Sequence, residues 1–107
     1  MRMKISEFQQ LLKDRYVEKD KIMGELFMVS VLTEEMGELA KAVRYGDVEM
    51  VAEELSDVVF VAFCIANLFG VDMEKWLKER YVKRSFDEVS QNWKDVSWKS
   101  HENTNKK

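Results

Sequence analysis

The sequence has 107 residues, 46% of them hydrophobic and 35% charged, with a net charge of −3. That is enough chain for one domain, enough apolar matter for a core and enough charge for a soluble surface. The acidic balance, with no basic run outside the tail, argues against a nucleic-acid partner; the N-terminus lacks a signal peptide's apolar segment, and the most apolar run, residues 58–69, is too short to span a membrane.

Proline is absent, glycine is scarce and period-two alternation is lacking, which predicts an all-α protein with short connections, a four- to five-helix bundle. A first helix is expected from an N-cap at Ser6 to about Lys21, with Ile5, Phe8, Leu11, Leu12 and Tyr16 on its apolar side. A turn or break is expected within residues 19–24. The second helix should start at Met23 or Glu25 and run to Tyr45, ended by Gly46 in the left-handed conformation. Gly37 lies inside it, either tolerated there or allowing a close approach.

Asp47 is a fair N-cap for a third helix that continues to Phe69 and stops at Gly70. Its second half is apolar all round apart from Asn67, and such a helix must be covered on every side. A bundle this small does not supply that cover, so a second copy of the chain is expected, in a homodimer or homotetramer. Asn67 is either a satisfied core amide or a donor to a ligand. Cys64, the single cysteine, reads as a small buried hydrophobe, and a cytoplasmic location is expected from the absence of a partner for it.

Asp72 should cap a fourth helix from Met73 to about Arg84, the most basic element, with Lys75, Lys78, Arg80, Lys83 and Arg84. Ser85 and Glu88 match a capping box and open a short last helix to about Trp93. Trp93 and Trp98 either pack across the bundle or stack on a base. Residues 1–99 read as a single domain and 100–107, which hold the only histidine, His101, as a disordered polar tail.

The stretch 32–59 carries two carboxylate clusters, Glu34, Glu35 and Glu38, then Glu53, Glu54 and Asp57, separated by the break at Gly46 and Asp47. Side chains three apart on a helix project from one face, so Glu35 pairs with Glu38 and Glu54 with Asp57. An antiparallel turn lets the two pairs face each other, on the flank of apolar stripes expected from Leu32, Met36, Leu39 and Val43 and from Val51, Leu55, Val58 and Ala62. Most acidic runs are solvated helix faces; two pairs in matching phase on adjacent helices are not that. Four converging carboxylates repel unless a cation sits among them. An all-oxygen site without histidine suits a hard cation, Mg²⁺ first and Mn²⁺ second. Such sites, with water in the remaining positions, serve phosphate chemistry, and cations of the fourth helix could neutralise a phosphate chain.

The ordered pattern Glu34-Glu35-x-x-Glu38 and Glu54-x-x-Asp57, with its context LTEEMGELAKAV and EELSDVVF, then Asn67 and Gly70-Val71-Asp72, resembles the MazG-like nucleotide pyrophosphohydrolases over about residues 5–85. The resemblance implies an oligomeric all-α NTP pyrophosphatase fold and Mg²⁺-dependent hydrolysis of a nucleoside triphosphate to the monophosphate and pyrophosphate. It implies Glu35, Glu38, Glu54 and Asp57 as metal ligands, and Glu34 as a further ligand or the group that positions the attacking water. Asn67 and a downstream lysine, Lys83 or else Lys78, would approach the nucleotide. The family's common C-terminal Lys-Asn-x-x-Arg is not recognisable here. Phosphoribosyl-ATP is the alternative substrate, and a non-catalytic helical dimerisation module is the reading of another class.

Overall fold

A computed structural model describes residues 2–93; the expected tail and Trp98 lie outside the described residues. The described residues form helices and turns with no strand: α1 (Ile5–Met23), α2 (Glu25–Tyr45), α3 (Val48–Phe69), α4 (Met73–Leu77) and α5 (Phe86–Val89). The chain divides after Met73 into two compact units.

In the first unit, α1–α3 pack as a small bundle. α1 starts one residue before Ser6, with Lys4 at the cap position and no side-chain cap, so the expectation of a Ser6 cap is corrected: its backbone is already helical. The break falls at Gly24, whose φ of 93° is open to few residues but glycine. α2 and α3 form an antiparallel hairpin through Gly46 and Asp47. Gly46 takes the left-handed conformation, φ 73°, and its N–H donates to the carbonyls of Ala42 and Val43. Asp47 then accepts from the N–H groups of Glu49 and Met50, satisfying two of the free donors that open α3. Gly70 closes α3 as Gly46 closes α2.

The core is Leu12 of α1, Met28 of α2, and Val61 and Cys64 of α3. Edge-to-face ring pairs, Phe8 with Phe63 and Tyr16 with Phe60, join α1 to α3. The expected apolar stripes split between two faces. Leu32 and Leu39 on α2, and Val51 and Val58 on α3, turn into the hairpin and are partly buried. Met36, Val43 and Leu55 are exposed. The all-apolar half of α3 is not fully covered within the chain: Val61, Cys64 and Ala66 are buried, but Val59 and Phe69 remain 46% and 66% exposed. No single helix among the described residues is long and apolar enough to cross a membrane.

In the second unit, the expected fourth helix is α-helical only to Leu77. Residues Lys78–Val82 form a π-helical turn, closed by Lys83 N–H donating to the Lys78 carbonyl. Ser85 and Glu88 make the expected capping box at the start of α5, whose chain continues as a 3₁₀ turn, Ser90–Trp93. Trp93 packs edge to face on Phe86.

Candidate metal centre

The hairpin brings Glu35 of α2 together with Glu54 and Asp57 of α3, one carboxylate oxygen from each lying within 4.8 Å of the others. The phase that turns Leu32 and Leu39 inward also turns Glu35 inward; Val51 and Val58 do the same for Glu54. Glu35 and Glu54 are half-buried, and Asp57 reaches the site from the exposed flank. Partial desolvation, then the neighbouring carboxylates of Asp57 and Glu54, raise the Glu35 carboxyl above its ordinary value. Glu54 Oε2 is buried and accepts no hydrogen bond from the protein. Buried polar oxygens normally find a donor or a cation. Crowded acids with a buried, unpartnered oxygen among them are what a hard divalent cation requires, so the residues present fit such an ion.

Glu38, expected as the fourth member, is exposed and falls outside this close group, as does exposed Glu34. Glu38 follows Glu35 by one helical turn on α2. Asn67 is a satisfied amide, which answers one of the alternatives left open for it. Its Oδ1 accepts from Gln9 Nε2 at 2.9 Å, and its Nδ2 donates to the Gln9 carbonyl at 3.2 Å. Both residues line a cavity of about 290 Å³ with Gln10, Lys13 and Val71.

Gln9 is the residue whose role was not read from the sequence. Its Nε2 also donates to the Val71 carbonyl at 2.7 Å, and its Oε1 accepts from Met73 N–H at 3.1 Å. The available signal was a polar side chain between Phe8 and Leu12, on the side of α1 that meets α3. In the second unit Lys83 is ion-paired with Glu79 at 2.7 Å, a contact that holds the Glu79 carboxyl below its ordinary value. Lys78 is exposed.

A helical hairpin with carboxylates converging from both arms defines a class, all-α domains with an acidic cluster that could hold a divalent cation. Comparison with known families makes the assignment specific. Residues 24–86 match the model of the MazG nucleotide pyrophosphohydrolase domain, and the chain belongs to that family. The match contains α2, α3 and all the candidate acids. The chain is also similar to the uncharacterized protein YpjD of Bacillus subtilis (strain 168), 37% identical over 60% of this chain and 74% of that one. Family membership supports nucleotide pyrophosphohydrolase activity in general terms, and Glu35, Glu54 and Asp57 could bind the divalent metal that such chemistry uses.

Proposed function

We propose that the protein hydrolyses a nucleoside triphosphate, ribo or deoxy, to the monophosphate and pyrophosphate with Mg²⁺ as cofactor. The observation that carries this reading is the buried, unpartnered Glu54 oxygen beside Glu35 and Asp57. In this reading Glu35, Glu54 and Asp57 hold the ion and Glu38 completes the set. The ion supplies charge neutralisation at the phosphates and a lowered pKa for a bound water. Glu34 orients the attacking water and takes its proton. The water oxygen bonds to the α-phosphorus, the bond from that phosphorus to the bridging oxygen breaks, and pyrophosphate leaves with the bonding pair. Asn67, whose amide is engaged on both sides by Gln9, is left out of nucleotide binding, and Lys78 and Lys83 are the candidates to neutralise phosphate charge. Lys83 must exchange Glu79 for phosphate to do so, which favours Lys78. A cytoplasmic location accords with a nucleotide substrate and a single buried thiol.

The test is hydrolysis of a panel of NTPs, dNTPs and phosphoribosyl-ATP with Mg²⁺, resolving pyrophosphate from orthophosphate. Pyrophosphate with monophosphate, abolished by chelator and by Glu54→Gln, is the expected result. Orthophosphate release refutes attack at the α-phosphate. Turnover of phosphoribosyl-ATP alone transfers the activity to that substrate. No turnover of any member leaves the dimerisation module, the reading favoured by the exposed apolar residues of α2 and α3.

A further inference from the structure

The helix that opens the second unit is wound so as to gather lysines. After Leu77 it takes one π-turn, Lys78–Val82, in which the Lys83 N–H donates to the Lys78 carbonyl at 3.0 Å. Such a turn closes over five residues instead of four. In an uninterrupted α-helix, positions 78 and 83 differ by about 140° of rotation and face different ways. The extra residue brings Lys83 round to stand one turn above Lys78. Lys75 precedes Lys78 by three positions, the spacing of neighbours on one face. All three lysines are exposed.

One carboxylate is paired within this group. Glu79 accepts from Lys83 Nζ at 2.7 Å. The hydrogen bond and charge of Lys83, and then the charge of Lys75, hold its carboxyl below its ordinary value. Glu74 and the side chain of Lys78 make no ion pair among the described residues. The two arginines of the segment are engaged elsewhere: Arg80 lies 5.8 Å from the centre of the Tyr81 ring, and Arg84 donates to the Glu88 carbonyl at 2.8 Å. Glu79 is therefore the resting counter-ion of a lysine group that outnumbers it in charge.

We propose that Glu79 is a placeholder for polyphosphate: it holds Lys83 while no anion is bound, and a diphosphate or triphosphate chain displaces it to be gripped by Lys78 and Lys83 together. An exposed ammonium–carboxylate pair is worth little. A polyphosphate brings several negative charges against the single one of Glu79, so the exchange runs towards the polyphosphate. A monophosphate has less charge and less reach with which to displace Glu79, so the same contact favours capture of a triphosphate and release of a monophosphate. The identity of the anion rests on the nucleotide reading above; the assignment of Glu79 as the gate on those lysines goes beyond it.

The experiment is isothermal titration of the full chain, stripped of metal and at low ionic strength, with inorganic tripolyphosphate and with orthophosphate. Wild-type protein is expected to bind tripolyphosphate more tightly than orthophosphate. Glu79→Gln is expected to bind tripolyphosphate about two- to fivefold more tightly, and to discriminate less against orthophosphate. In a Lys83→Ala background the same substitution is expected to gain much less, because Glu79 then has no Lys83 to release. Asp87→Asn removes an exposed carboxylate of the same unit without touching the lysines and is expected to change nothing. Glu79, Lys83 and Asp87 are all exposed, and helical circular dichroism checks that each variant keeps its fold. Equal gains in Glu79→Gln and Asp87→Asn would reduce Glu79 to one unit of surface charge and overturn the proposal. So would a Glu79→Gln gain that persists undiminished in Lys83→Ala, or the absence of tripolyphosphate binding in both wild type and Glu79→Gln. Failure of the catalytic reading shows differently, as tripolyphosphate bound in this pattern with no nucleotide turned over.

Discussion

Gln9 makes the most demanding prediction, because one side chain closes the corner between α3 and α4 from a distant part of the sequence. Replacing it with methionine keeps length and volume but removes every side-chain hydrogen bond. Three are lost, to Asn67 Oδ1, the Val71 carbonyl and the Met73 N–H. A net contribution of about 0.5–1.5 kcal/mol per bond applies to groups fully removed from water. These are part-buried, and water reaches the stranded partners, so the low half of that range holds and the sum is about 2 kcal/mol. For a domain of this size that is a fall in Tm of roughly 8–16 °C. Urea unfolding followed by circular dichroism gives the free energy directly. A double-mutant cycle with Asn67→Ala isolates the side chain–side chain bond, with an expected coupling of about 0.5–1 kcal/mol. A loss below about 0.5 kcal/mol for Gln9→Met, or no coupling with Asn67, refutes the view that this amide holds the corner.

Mg²⁺ is expected to raise the Tm of the wild-type protein and to do so much less in Glu54→Gln and Asp57→Asn; with chelator present those variants should melt no lower than wild type, since each removes repulsion among the three acids. Without divalent ions, the raised Glu35 carboxyl keeps its proton in the folded state where the unfolded chain has lost it, so stability should fall as pH rises from about 4.5 through the higher folded value. Urea titrations at stepped pH check this, and Glu35→Gln should flatten the slope. Burial, reinforced by the nearby Asp20 carboxylate, pushes the Cys64 thiol up to about 12. Labelling by a thiol-specific disulfide reagent at pH 8 should therefore be slow in native protein and immediate in denaturant; rapid native labelling would mean the core around Cys64 opens readily.

The hairpin was legible because its signals are local. Gly46 and Gly70 take the left-handed conformation that ends α2 and α3, and Asp47 and the Ser85–Glu88 pair satisfy helix N-termini within a few positions. The meeting of Glu35 with Glu54 and Asp57 follows from phase once the hairpin is granted. The division of the apolar stripes was not legible. Met36 and Leu39 are equally hydrophobic in kind, and so are Leu55 and Val58. Hydrophobicity marks residues that avoid water without saying which of two apolar faces meets a neighbour in the same chain. The start of α1 was misread because Ser6 is a good cap wherever a helix happens to begin, and here it begins at Ile5. The shortening of α4 into a π-turn has no residue-level signal that we can identify.

The contacts also set an order of assembly. The acids meet across a single tight turn, while Gln9 and Asn67 meet across 58 positions of chain. Closing the longer loop carries the greater entropic cost, so hairpin closure comes first and docking of α1 afterwards. The carboxylate cluster thus needs only the α2–α3 hairpin, and not the long-range docking of α1 on α3, to be complete. Transient release of α1 would bare the core while leaving the cluster standing, and native-state amide exchange would register α1 as a less protected layer over a more persistent hairpin.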